Sequence, residues 1–157
     1  MARRKSWTEK LHDSKDLPKV QVIDGKMSKR WGTGTFVIPA PIEVDEAMRK
    51  IRKGKLTTID ELRQFLAAKH SADVGCPLTT GIFAWVAAHA ADEAEQSGRK
   101  RITPYWRTLK AKGELNPKYP GGIENLKARL EAEGHTVVQK RKRFFVADFE
   151  QHVIRPK

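Results

Sequence analysis

Apolar residues recur at helical spacing in four stretches of the chain, and between them the pattern breaks into glycine, proline and charge. The first stretch, from about Glu43 to Lys53, sets Val44, Met48 and Ile51 on one face, and Gly54 stops it. A second helix opens at Thr58, where Glu61 three residues on makes a capping box, each side chain satisfying a free backbone N–H of the other residue. It runs to about Lys69, with Ile59, Leu62, Phe65 and Leu66 inward and Arg63, Gln64 and Lys69 outward. After a turn through Ser71–Gly75, a long helix starts near Pro77 or Thr79 and reaches about Gln96. Its first half is apolar almost all round, from Ile82 to Ala88, which predicts burial on most sides. A last helix, Ile123 to Glu133, turns Leu126 and Leu130 inward and ends on Gly134.

The remaining segments follow other rules. Residues 1–40 mix Lys, Arg and Asp with scattered apolar residues and finish in a Gly- and Pro-rich run. They predict a basic, partly extended arm whose first 20 or so residues are disordered. Trp31, Phe36, Val37 and Ile38 would staple its far end to the folded domain, residues 41–157. Residues 102–122 read as loop. Thr136–Val138 and Phe144–Val146 flank Gln139–Arg143, a β-hairpin with a cationic tip that resembles a wing. Two helices joined by a short turn, the second buried, make a helix-turn-helix pattern. The expected fold is therefore mainly α with a small β-hairpin, a winged-helix-like helix-turn-helix domain.

Composition sharpens this picture in two ways. The 157 residues carry a net charge of +12, which points to an anionic partner, and nucleic acid is the commonest for a compact protein. A single cysteine, Cys76, excludes an internal disulfide, and the five histidines lack ligand spacing, so no metal or other cofactor is expected. No stretch approaches the roughly 18–20 apolar residues of a membrane span, and no apolar core follows the basic start. The expectation is a monomer, away from membranes, in the cytoplasm (at the nucleoid in a bacterium).

Four segments, in order, then carry a family resemblance. They are Gly54-Lys55-Leu56-Thr57-Thr58; the helix containing Gly81; Thr103-Pro104-Tyr105-Trp106-Arg107-Thr108-Leu109; and Lys118-Tyr119-Pro120-Gly121-Gly122-Ile123 with Glu133-Gly134 beyond it. Together they resemble the C-terminal DNA-binding and active-site domain of alkylguanine-DNA alkyltransferases, over about half the chain. The resemblance implies a cysteine nucleophile activated by histidine at positions 105 and 106. Here Tyr105 and Trp106 stand there instead, while Glu133 remains. Dealkylation is an in-line attack on carbon, and a phenol with a pKa near 10 and no adjacent base does not replace a thiolate. The sequence is similar to the non-catalytic alkyltransferase-like branch, which binds alkylated DNA for repair, and no catalytic residue is assigned. Two further family features are replaced: the arginine that fills the gap left by a flipped base is Leu78, and the tyrosine after the two threonines is Ile59.

The resemblance and the charge pattern together nominate DNA contacts at Thr57, Thr79, Thr80, Arg99, Lys100, Arg101, Arg107, Lys140 and Arg141. Threonines at a helix start can meet phosphates or simply cap, and Arg107 can contact DNA or buttress its loop. Tyr105, Trp106, Tyr119, Gly121, Gly122 and Glu133 would form the base pocket, either offering stacking faces to a base or plugging the space. Asp92, Glu93 and Glu95 put acid on the presumed recognition helix. They favour an alternative, a protein- or RNA-binding adaptor that kept the fold. A further alternative makes Cys76, at a helix start, the alkyl acceptor.

Overall fold

In the computed structural model, which describes residues 5–25, 28–29 and 32–156, the chain opens with a docked helix where an extended, disordered arm is expected. Helix α1 (Trp7–His12) is capped by Ser6, whose hydroxyl accepts from the Glu9 amide at 3.1 Å. Strand β1 (Lys19–Val22) pairs antiparallel with β2 (Thr35–Ile38). Phe36 and Val37 are buried as expected, whereas the proposed staple Trp31 lies outside the described residues.

Helix α2 (Pro41–Arg49) begins two residues early because Pro41 presets the first helical φ and the Ala40 amide donates to Glu43 Oε1 at 3.1 Å. It also ends a turn short of Lys53. The chain beyond it is drawn elsewhere: the Ile51 carbonyl accepts from Arg107 Nη1 at 2.6 Å, and the Gly54 amide donates to Glu133 Oε1 at 3.2 Å. Strand β3 (Thr57–Thr58) leads into α3 (Ile59–Lys69), which shows half of the expected capping box: Thr58 Oγ1 accepts from the Glu61 amide at 3.2 Å, while Glu61 Oε2 accepts from Arg155 Nε at 3.0 Å. Arg63, expected outward, is half-buried and donates through Nε to the Gly75 carbonyl at 2.9 Å. Strand β4 (Val74–Gly75) runs parallel to β2. A Cβ at Gly75 would sit 2.5 Å from the Arg63 carbonyl oxygen, so only glycine lets α3 lie this close.

Helix α4 (Pro77–Gln96) is the spine. Its alanines Ala84, Ala87, Ala88, Ala90 and Ala91 are all buried and small, which lets α1, α2 and α3 pack against it. A 3-10 turn (Tyr105–Arg107) follows, then β5 (Thr108–Leu109) parallel to β3, and a second turn (Ala111–Gly113). Helix α5 (Gly122–Ala132) and the hairpin β6 (Val137–Lys140) and β7 (Arg143–Val146) complete the chain close to their expected bounds. Val44, Met48, Leu62, Leu66, Leu126 and Leu130 form the core.

The fold is thus mixed α/β rather than mainly α with one hairpin. The three-stranded sheet β1-β2-β4 and the β3–β5 pair went unseen: β3, β4 and β5 are two residues long, too short to display alternation, and β1 and β2 lie in the segment whose Gly and Pro content reads as an arm. Among the described residues, no helix is long and apolar enough to cross a membrane.

Candidate functional site

The residues expected to form a base pocket do come together, but as a filled and hydrogen-bonded cluster. Tyr105 is fully buried at the start of its 3-10 turn, and Tyr119 is 3% exposed. Their rings meet edge-on at 6.3 Å, and Trp106 stands edge-on to Tyr105 at 5.3 Å. Asn125, one turn into α5, donates through Nδ2 to the Tyr105 hydroxyl and to the Pro120 carbonyl, both at 2.9 Å. Arg129, one turn further, donates to Asn125 Oδ1 at 3.1 Å and lies over the Trp106 ring at 4.6 Å. Its far end pairs with Glu95 at 2.5 Å.

Glu133 closes the other side. Its carboxylate accepts from Arg107 Nε at 2.9 Å and Nη2 at 2.7 Å, from Trp106 Nε1 at 2.9 Å, and from the Gly54 amide. Burial alone would raise its pKa, yet the bonds from Arg107, Trp106 and Gly54 hold it below the usual carboxylate range, so it stays charged. Burial pushes the Tyr105 phenol up, against the Asn125 hydrogen bond, and raises that of Tyr119 further. Both phenols therefore stay neutral, and a neutral phenol is a poor nucleophile.

Gly121 and Gly122 shape the turn into α5. Gly121 takes φ +77°, and a Cβ there would lie 2.5 Å from that of Asn125, so glycine lets Asn125 reach Tyr105. Gly122, at φ +66°, continues that left-handed turn into α5.

The expected DNA contacts divide by exposure. Arg99, Lys100, Arg101, Lys140 and Arg141 are exposed. Arg107 faces inward and bonds Glu133 and the Ile51 carbonyl. Thr57 is fully buried, and so is Thr80, whose hydroxyl donates to the Cys76 carbonyl at 2.6 Å. The Thr79 oxygen is buried as well. Cys76 is 7% exposed and packs with Ile23 and Phe36, away from the Tyr105 cluster.

The acidic run on α4 is accounted for internally. Glu93 accepts from the Trp7 amide (3.1 Å), the Thr8 amide (3.2 Å) and the Thr8 hydroxyl (2.8 Å), so it anchors the start of α1. Glu95 holds Arg129, and Asp92 accepts from Gln96 at 2.8 Å. Trp7 stacks on His89 at 4.4 Å and meets Trp85 edge-on at 4.8 Å. Trp85 Nε1 in turn donates to the Lys118 carbonyl at 3.2 Å, and His89 Nε2 lies 3.2 Å from the same oxygen.

Sequence reasoning missed Asn125 and Arg129, although their four-residue spacing on a predicted helix was a usable signal. It also missed an open groove of about 540 Å³ between the start of α4 and residues 116–119. Leu78, Ile82, Ile59 and Trp85 line one side, and Lys110, Lys118 and Tyr119 the other. Among the described residues, no group of three or more His, Cys, Asp or Glu is placed to hold a metal ion.

No family model and no curated protein matches the chain. In fold it is similar to the crystal structure of S. pombe Atl1 in complex with damaged DNA containing O6-carboxymethylguanine. The TM-score is 0.53 at 19% identity, over 74% of this chain and 94% of that one. A second S. pombe structure, ATL in complex with DNA, superposes with a TM-score of 0.47 at the same identity and coverage.

Proposed function

We propose that this chain is a non-catalytic, alkyltransferase-like protein that binds duplex DNA mainly through phosphates and serves recognition of damaged DNA in repair. The observation that carries the reading is the fate of position 105. A tyrosine fills the place where the family resemblance puts the nucleophile, its hydroxyl fixed by Asn125 and its surroundings closed by Trp106, Arg129 and Glu133. No thiolate lies there, and the Glu133 carboxylate is engaged by Arg107, Trp106 and the Gly54 amide. Cys76 is buried against Ile23 and Phe36, which argues against its use as an acceptor.

Three further features support DNA as the partner. The fold resembles a structure of S. pombe Atl1 bound to damaged DNA. Arg99, Lys100, Arg101, Lys140 and Arg141 give exposed positive charge to a chain of net charge +12. The acids on α4, which favoured a protein or RNA partner, are engaged by α1, Arg129 and Gln96, so that alternative loses its motive. In this reading α3 and α4 act as a helix-turn-helix and the β6–β7 hairpin as a wing.

The test is a fluorescence-polarisation titration of two matched duplexes, one plain and one carrying a single alkylated guanine, at low and moderate salt. Binding that weakens steeply with salt is expected. Intact-protein mass spectrometry after the same incubation should show no added alkyl mass. Absence of binding to both duplexes at low salt, or a covalent adduct, overturns the proposal.

A further inference from the structure

Among the described residues, four large apolar side chains are exposed: Val20, Val22, Leu78 and Ile82. Leu78 and Ile82 form a ridge where α4 borders the open groove. Val20 and Val22 lie elsewhere, two residues apart on β1, so they share one face of the sheet, at 46% and 68% exposure. Val37, which sits opposite Val20 on β2, is fully buried. An apolar row thus starts in the core and runs outward until the sheet stops.

The sheet stops because β1 is its edge. Among the described residues β1 pairs with β2 alone, in the order β1-β2-β4. The Ile23 amide donates to the Gly34 carbonyl at 2.8 Å, which fixes the alternation. Lys19, Gln21 and Ile23 turn their backbone groups to β2, and Val20 and Val22 turn theirs outward. The two exposed valines are therefore also the residues whose amides and carbonyls aim away from the sheet. Such an edge is a template for another strand. Charge says which kind. Residues 14–25 set Lys15 and Lys19 against Asp16 and Asp24 and cancel, in a chain of net charge +12, and Lys19 pairs with Asp16 at 2.7 Å. A neutral edge offers little to phosphates, and it is a place where two strongly cationic copies can meet without local repulsion. The strand is also self-complementary, since turning Val20-Gln21-Val22 end for end about Gln21 sets valine against valine.

We infer that β1 is a homodimerisation edge, on which a second copy of this chain lays its own β1 antiparallel about a two-fold axis at Gln21, in place of the monomer expected from the sequence. Val20 of each copy faces Val22 of the other, and each such pair exchanges both backbone hydrogen bonds. The two three-stranded sheets then continue into one another, with the valines of both copies covering each other on a single face. Pro18, just ahead of the strand, has no N–H and ends the pairing. A contact in which the same patch meets itself closes on a dimer and does not propagate into fibres. Its area is small, so the dimer is transient, forming at protein concentrations on the order of 10–100 μM. The inference is independent of the DNA reading, because β1 holds none of the cations assigned to phosphates.

Sedimentation velocity of the full chain from about 5 to 500 μM, at low and moderate salt, tests this. The expected result is a monomer–dimer equilibrium that tightens as salt rises, because salt screens the repulsion between two copies of charge +12. DNA binding should change with salt in the opposite sense. The double variant Val20→Lys/Val22→Lys sets like charges opposite one another and should raise the dissociation constant at least about tenfold. Val20→Lys/Val22→Glu sets opposite charges face to face in this register and should return it to within about threefold of the starting value. In the unmodified chain, amide exchange at Val20 and Val22 should slow across the same concentrations, a readout that needs no variant. A monomer at every concentration leaves the edge to some other strand and overturns the proposal. So does a dimer that survives the double-lysine variant, one lost equally in both variants, or one that leaves the exchange of those two amides unchanged.

Discussion

Tyr119 separates two regions built on opposite terms. Behind it, Tyr105, Asn125, Arg129, Trp106, Glu133 and Arg107 hold one another, and the polar groups of that cluster find their partners inside the protein. In front of it, Leu78 and Ile82 face solvent across a groove flanked by lysines. The closed region matches its polar groups with one another, while the open one keeps its apolar surface bare. The contrast teaches that one aromatic side chain, Tyr119, can border both a sealed polar cluster and an exposed apolar groove.

The sharpest way to break the contrast is at the closed side. Arg107→Ala leaves the Glu133 carboxylate buried without its main partner, and should destabilise the protein by about 3–5 kcal/mol in a denaturant titration. The folded fraction should keep its salt-dependent DNA binding, since Arg107 faces inward. Next comes Asn125→Ala, which strips the Tyr105 hydroxyl of its donor and frees Arg129, with an expected loss of roughly 1–3 kcal/mol by thermal unfolding.

Acid should act more gently and in two stages. Burial and the neighbouring His152 hold the His135 pKa below its ordinary value, so the unfolded chain takes up that proton first. Stability should therefore begin to fall as pH drops below about 6.5. Glu43 and Glu133 resist burial through bonds from Lys69 and Arg107 respectively, and their pKa values are depressed. Their contribution is intact above pH 4.5 and is lost as pH falls through their folded values. Melting curves taken from pH 8 to pH 3 would read both stages, and a flat profile from pH 7 to pH 5 would rule out the His135 part. The smallest effect belongs to the open side: Leu78→Ala should change stability by no more than about 0.5 kcal/mol. A larger loss by the same melt would place Leu78 in the packing and end the comparison.

Much of the helical frame was legible because its signals are local. Thr58 caps α3 as expected, though Glu61 turns to Arg155 rather than back to the cap, and Gly134 follows the end of α5. What escaped depends on partners far along the chain. The end of α2 is set by Arg107 and Glu133, more than 50 residues on, and no local pattern announces it. The acids of α4 looked like a charged surface because the helix they anchor, α1, has only six residues and no apolar period of its own. Among the site residues, exposure was the hidden variable. Arg99 and Arg107 are the same residue type and close in sequence, and one is exposed while the other is clamped.

The docking of α1 also bears on how the protein is handled. A chain shortened to begin at β1 would leave Trp85 and His89 uncovered beside Ile82 and remove the three donors that Glu93 serves. The bare ridge of two residues would lengthen into a continuous aromatic and aliphatic stripe along α4, the kind of surface that draws copies of a protein together. Trimming this segment should thus make the protein more prone to self-association. Residues 6–12 thus act as a cover for the helix on which they pack.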